Sequence, residues 1–202
     1  MKIIKIASAN FSDAISAAVQ VLQKGGIVAH PTDTVWGLAA DAANKKAVAK
    51  IHSLKKSDPT KPLLLNLPSK NYLNQIGAKL CKAHLLAKKF WPGNLSLLIS
   101  SKNSPTGKIG VRLPDHKIAH ALARKFGAPL VTTSANLSGQ KVAQNAREIA
   151  RIFPQIDLIL DDGSTSKNLA STLVDVSGRE VQLVRAGALD FKTIQKVLAI
   201  RL

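Results

Sequence analysis

The chain is short of several kinds of residue, and each shortage removes a class of explanation. Cys81 is the only cysteine in 202 residues, so no internal disulfide and no cysteine-built metal site can form. One tyrosine and two tryptophans are too few for the stacked aromatic platform of a single-strand nucleic-acid binder. No apolar stretch approaches the ~20 residues needed to span a bilayer. The alternating start Met1-Lys2-Ile3-Ile4-Lys5-Ile6 lacks the longer apolar region and cleavage site of a signal peptide. A cytoplasmic protein without a membrane partner is therefore expected. The glycine-rich phosphate loop ending in Gly-Lys-Ser/Thr is also missing. Acidic residues are scarce, 12 against 29 Lys and Arg, which leaves a net charge of +17.

That charge favours polyanionic partners, nucleotides or nucleic acid. Lysines cluster at Lys45, Lys46, Lys50, Lys55, Lys56 and Lys61, and again at Lys79, Lys82, Lys88 and Lys89. A solvated lysine-rich surface and an RNA-binding face both remain open on this pattern. With 46% hydrophobic residues the chain can bury one substantial core. Strand-like and helix-like segments alternate, the pattern of an α/β or α+β domain. Ser12 is expected to cap a helix carrying Ile15, Ala18, Val19 and Leu22 on one face, stopped by Gly25-Gly26. Further helices are predicted over 44–54, 78–90, 118–126 and 146–153, with a last one capped by Asp190. Strands are predicted over 27–29, 63–67, 95–99, 109–112, 129–131 and 158–160, with a hairpin of 172–176 and 181–185.

Three segments and two strand-end arginines concentrate groups capable of chemistry. Thr132-Thr133-Ser134-Ala135-Asn136-Leu137-Ser138-Gly139 follows the apolar run Pro129-Leu130-Val131. Leaving so many polar groups unpaired in a core would cost roughly 1–3 kcal/mol each. As a loop at a strand end, they instead suit phosphate oxygens, the usual ligand position of open α/β sheets. His30-Pro31-Thr32-Asp33-Thr34-Val35-Trp36-Gly37-Leu38 also follows a strand; Asp33 reads as a base or an N-cap, and Trp36 as core or pocket wall. Lys55-Lys56-Ser57-Asp58-Pro59-Thr60-Lys61-Pro62 brings ammonium groups into a proline-stiffened loop. Arg112 and Arg185 each end an apolar strand, where a guanidinium needs either an internal carboxylate or an external anion. Of the five histidines only His116 and His120 have ligand-like spacing, and no third ligand lies near them, so protein side chains are not expected to hold a metal.

Taken in this order, the segments resemble the YrdC family of threonylcarbamoyl-AMP synthases, from about Asn10 to Leu189. The resemblance is carried by Pro31-Thr32-Asp33-Thr34 with Gly37-Leu38, Trp91-Pro92-Gly93, Val111-Arg112-Leu113-Pro114, the 132–139 run and Ser171-Thr172-Leu173-Val174-Asp175. It implies a single domain over 1–202, a twisted open sheet with helices packed around it, a basic concave surface and no additional C-terminal domain. It also implies a nucleotidyl transfer: L-threonine, bicarbonate and ATP give threonylcarbamoyl-AMP and pyrophosphate, with Mg²⁺ on the phosphates. The product would serve the modification of tRNA beside the anticodon through a threonylcarbamoyl-transfer machinery.

By position the resemblance assigns Thr34, Asn66, Arg112, Thr132 and Ser171 to L-threonine. It assigns Ser57, Lys61, Lys108, Ser134, Asn136, Val142 and Arg185 to ATP. On the same basis Lys55, with Arg185, would stabilise charge on the transferring phosphorus. Ser57 departs from the family by standing where its Lys-x-Arg motif has arginine, Val142 stands where some relatives have serine, and Asn66 replaces a frequent histidine. The competing reading is a YrdC-like paralogue that binds RNA or nucleotide without synthesis. A hydrogenase-maturation carbamoyl-transfer domain would bring zinc-finger and acylphosphatase segments, which this sequence does not show.

Overall fold

The computed structural model describes residues 1–61, 63–76, 81–102, 104, 106–164 and 169–199. Among these, ten strands form one mixed sheet with seven α-helices around it. In chain order they are β1 (Lys2–Lys5), α1 (Phe11–Gln23), β2 (Val28–His30), β3 (Gly37–Asp41), α2 (Lys45–Lys55) and β4 (Leu64–Asn66). Next come α3 (Tyr72–Gln75), α4 (Cys81–Phe90), β5 (Leu95–Ser100), β6 (Lys108–Arg112), α5 (Lys117–Phe126) and β7 (Leu130–Ser134). The chain continues as α6 (Ala146–Ile152), β8 (Leu158–Asp161), β9 (Thr172–Asp175), β10 (Gln182–Arg185) and α7 (Phe191–Ala199). The sheet order is β1-β8-β2-β3-β7-β4-β6-β5-β9-β10. This mixed α/β architecture is the one the sequence predicts.

Helix ends follow from local chemistry. Asn44 Oδ1 accepts from the backbone N–H groups of Lys46 and Ala47, both at 3.1 Å, and starts α2. His116 Nδ1 does the same for Ile118 in α5, and Gly127 closes that helix in the left-handed region at φ 80°. Ser12 is not the cap of α1. Asn10 precedes that helix, and its side chain turns back to the Ala7 N–H across a 3-10 turn over Ser8–Asn10. The predicted start of α4 at Ala78 lies outside the described residues.

Two strands depart from expectation. Gly37-Leu38-Ala39-Ala40-Asp41 is a central strand, β3, paired with β7 through Leu38↔Thr133 and Ala39↔Thr132. Its small side chains carry little β propensity, and the order comes from its neighbours on both sides. The polar run at 132–134 is likewise part of β7 instead of a loop, because β3 on one side and β4 on the other pair with it as far as Ser134 and Thr132.

Strand alternation splits the buried residues between two faces. On one face Val28, Leu130, Leu158 and Leu160 pack under α1 and α5. On the other, Ala29, Leu38, Val131 and Ile159 pack with residues of α2 and α6, and further along Leu95, Leu97, Val111 and Val174 pack with residues of α4 and α7. The second face is thus covered along its length. On the first, α1 and α5 cover only the β8-β2-β3-β7 end. From β7 onward, register places Thr132, Leu64, Gly110, Arg112, Ser96 and Leu173 on the remaining stretch of that same face. The functional groups stand there.

Two constraints frame this region. His30 is buried at the end of β2, and its Nδ1 lies 3.0 Å from Pro31 O. Burial pushes its pKa from 6.5 down to about 4, assisted by nearby His116 and opposed by the Pro31 bond. The second constraint is at Gly187, where a Cβ would stand 2.3 Å from Ala170 O and 2.5 Å from both Ser171 C and Thr172 N. All three are backbone atoms that a side chain cannot push aside.

Each constraint has a measurable outcome. Between pH 6.5 and 4 the unfolded chain binds a proton at residue 30 that the folded chain refuses, so stability falls as pH drops through that window. In urea titrations His30→Gln should flatten that part of the acid limb; an unchanged limb would show that other groups set it. Gly187→Ala should cost about 1–3 kcal/mol through overpacking, lowering Tm by roughly 2–4 °C per kcal/mol in a chain of this length.

Candidate active site

A cavity of about 330 Å³ opens on the uncovered face. β7 contributes Thr132, Thr133 and Ser134, β4 contributes Leu64 and Asn66, and β6 contributes Arg112. The segment between β2 and β3 supplies Thr32, Thr34, Val35 and Trp36; the far wall is Ala170, Ser171, Leu173 and Arg185, with Val142 opposite. The polar groups sit on or beside paired strands, so their positions are set by the sheet ladder.

Arg112 is 6% exposed and is held from three directions. Nε donates to Gly93 O at 3.0 Å, Nη1 to Thr34 Oγ1 at 2.8 Å, and Nη2 to Asp33 Oδ1 at 2.6 Å. A guanidinium has five N–H groups, so one on each terminal nitrogen is left over. Burial lowers the pKa of Arg112 and Asp33 works against that; the group stays charged. Asp33 is therefore neither cap nor exposed base but the counter-ion of Arg112. Thr32 supports this arrangement by accepting from the backbone N–H groups of Thr34 and Val35 and donating to Val35 O. Among the described residues, the buried side-chain atoms without a partner are Asp33 Oδ2, Trp36 Nε1 and Asn94 Oδ1. All three lie in the segments that wrap Arg112, and such unsatisfied groups call for a functional explanation.

Arg185 is exposed at the end of β10 and has no carboxylate partner among the described residues. Its Nε and Nη2 donate to Ser171 O at 3.2 and 2.9 Å, and Nη2 also reaches Ser171 Oγ at 3.1 Å. Partial burial lowers its pKa. Arg112 and Arg185 repel each other, and among the described residues Asp33 forms an ion pair with Arg112 alone. The cavity wall is left cationic.

The structure thus brings together Thr34, Asn66, Arg112, Thr132, Ser134, Val142, Ser171 and Arg185. The other sequence candidates stand outside the cavity wall. Lys55, at the end of α2, is buried and donates to Ser134 O, to Asn136 O at 2.7 Å and to Asn136 Oδ1 at 3.3 Å. Burial brings its pKa from 10.5 down to about 8. It ties α2 to the segment after β7, a position behind the pocket. Asn136 accepts from Ser134 Oγ at 2.5 Å and donates to Leu137 O and Gln140 O, so its amide closes the turn. Ser57 Oγ pairs with His52 Nδ1 at 3.0 Å. Lys61 is exposed, and Lys108 pairs with Asp175 at 2.6 Å on the same sheet face. Ser96, unremarked in the sequence, lies fully buried behind Ser171, with their hydroxyls 2.7 Å apart. Its signal was a lone hydroxyl between Leu95 and Leu97 in an apolar strand.

A family model described as Sua5_yciO_yrdC, telomere recombination, matches residues 20–187. The chain is 34% identical over 193 residues to the threonylcarbamoyl-AMP synthase of Pyrococcus abyssi, covering 91% of this chain and 57% of that protein. It is 34% identical over 194 residues to the Bacillus subtilis enzyme of the same name, covering 91% and 56%. The crystal structure of P. abyssi Sua5 complexed with L-threonine superposes with a TM-score of 0.83 at 31% identity, over 98% of this chain and 59% of that one. The chain thus spans little more than half the length of these relatives. With the model matching most of its length and both relatives above 30% identity, the chain belongs to the Sua5/YciO/YrdC family.

Proposed function

We propose that the chain synthesises threonylcarbamoyl-AMP from L-threonine, bicarbonate and ATP, releasing pyrophosphate. The observation that carries this reading is that one cavity is lined by two arginines, Arg112 buried and Arg185 exposed, of which only Arg112 has a carboxylate partner among the described residues. That cavity suits anionic reactants, and the relatives' printed names supply the reaction. Arg112 offers its two remaining N–H groups to the threonine carboxylate, a two-point task suited to guanidinium. Thr34, Asn66, Thr132 and Ser171 supply the polar wall around the rest of the amino acid. Of the proposed ATP residues, Ser134, Val142 and Arg185 belong to the cavity lining, and Ser57, Lys61, Lys108 and Asn136 are assigned to the nucleotide from outside it.

The chemistry needs little beyond positioning and cationic stabilisation. The threonine amine attacks the bicarbonate carbon and water leaves. A carbamate oxygen then attacks the α-phosphorus and pyrophosphate departs. Arg185 stabilises the charge that builds on the phosphorus. Lys55 acts with it by holding Ser134 and Asn136 in place. The described residues contain no group of three His, Cys, Asp or Glu side chains placed to hold a metal, so any Mg²⁺ would be carried on the triphosphate oxygens. The product would feed the modification of tRNA, and exposed lysines such as Lys45 and Lys46 on α2 and Lys88 and Lys89 on α4 are the candidates for contact with that RNA or the transfer machinery. No described helix is long and apolar enough to cross a membrane.

One observation favours the alternative, a nucleotide- or RNA-binding paralogue: Ser57 is paired with His52 and places no cation at the motif position. Pyrophosphate release that requires both threonine and bicarbonate decides between the two. RNA binding without such release would establish the paralogue. In that assay Arg112→Lys should raise the KM for threonine by roughly ten- to a hundredfold, the worth of a charge-assisted hydrogen bond. Lys55→Ala should lower kcat about tenfold or more while calorimetric threonine affinity changes less, since it removes the tie beneath Ser134. Full turnover by Lys55→Ala would sink its assigned role.

A further inference from the structure

Ser96 is fully buried on β5, and the one hydrogen-bond partner of its hydroxyl among the described residues is Ser171 Oγ at 2.7 Å. Ser171 is 2% exposed and lines the cavity. Its Oγ also accepts from Arg185 Nη2 at 3.1 Å. A serine hydroxyl has one proton to give and two lone pairs to fill.

Those facts fix the direction of the bonds. Among the described residues the Ser96 proton has no acceptor other than Ser171 Oγ, and leaving it buried and unpaired would be costly. Arginine only donates. Ser171 Oγ therefore receives two protons, from Ser96 and from Arg185, and both its lone pairs are taken. Its own proton must point away from both, and the remaining direction is the cavity.

We infer that Ser96 is a positioning residue for the proposed synthase reaction: it sets Ser171 as a hydrogen-bond donor aimed into the cavity. Ser171 then reads an acceptor oxygen on the ligand, and the amino-acid carboxylate drawn in by the two guanidiniums is its partner. A donor at that point has nothing to offer the ammonium end of the same molecule, so the bond polarity also selects which way round the amino acid lies. The inference takes threonine as ligand from the proposed function; the direction of the Ser96–Ser171 bond is independent of it.

Two measurements test this. Neutron diffraction from crystals of the deuterated protein should place the Ser96 deuteron on the line to Ser171 Oγ and the Ser171 deuteron toward the cavity. A Ser171 deuteron lying on the line to Ser96 overturns the inference, whatever the protein binds. Calorimetry with L-threonine should show Ser96→Ala weakening binding roughly three- to tenfold, the range of one neutral hydrogen bond. Ser96→Thr, which keeps the hydroxyl, should restore it to within about twofold. In a Ser171→Ala background, Ser96→Ala should cause no further loss. An equal loss in that background would mean that Ser96 acts by packing alone and would overturn the inference. Absence of threonine binding by the unaltered protein would remove the proposed function, while the deuteron positions would still decide the polarity of Ser171.

Discussion

A cation that is 6% exposed must be matched from within, and much of the site follows from how Arg112 is matched. Asp33 supplies the charge, Thr34 a hydroxyl and Gly93 a carbonyl. These partners come from the segment before β3 and the turn before β5, while Arg112 itself ends β6. One guanidinium thereby fixes three pieces of chain that the sheet alone would leave at different strand ends. Removing one partner of such a buried pair typically costs about 3–5 kcal/mol, because the other charge is stranded. Among the described residues Arg112 has a carboxylate counter-ion and Arg185 has none. The resulting positive excess inside a small polar cavity is the electrostatic basis for an anionic ligand.

That excess is tolerated because of how the helices are shared out. The face packed by α2, α4, α6 and α7 is closed by side chains along the whole sheet. The opposite face is closed by α1 and α5 at one end only. Threonine, serine, asparagine and arginine occupy inward positions of β7, β5, β4 and β6 where a covered sheet would carry valine or leucine. A strand position also limits their freedom. Thr132 and Asn66 are held by ladder pairs to Ala39 and Leu130, so little ordering remains to be done when a ligand arrives.

Much of this was legible from residue pattern. Buried strands such as 95–99 and 109–112 announce themselves by short, mainly apolar runs, and α2 by its Asn44 start. The hydroxyl-rich run at 132–139 was visible as misplaced polarity, and Thr132 and Ser134 do reach the cavity. What was hidden depends on tertiary pairing. β3 is made of small residues with weak local preference, so it is specified by β2 and β7 on its flanks. Asp33 looked like a lone carboxylate because its partner is 79 positions away. Lys55 looked like a free cation for phosphate because nothing local reveals that carbonyls at 134 and 136 lie over its ammonium. Ser96 and Ser171 are 75 residues apart, and their pairing is not legible until β5 and β9 are adjacent.

The strand order has a consequence for how the molecule comes into being. β1 pairs with β8 across the interval from Lys2 to Leu158, and β5 pairs with β9 across that from Leu95 to Thr172. Neighbours in the sheet are seldom neighbours in the chain, so much of its closure must await long-range contacts whose loops are entropically slow to close. The cavity wall runs from Thr32 to Arg185. During synthesis the hydroxyls of Thr32, Thr34, Thr132 and Ser134 leave the ribosome well before the last guanidinium does. The pocket acquires its full charge only when the penultimate element, β9 with β10, is laid against β5. A chain stopped short of that point has a sheet but no anion trap, so acquisition of the trap marks completion of the sheet.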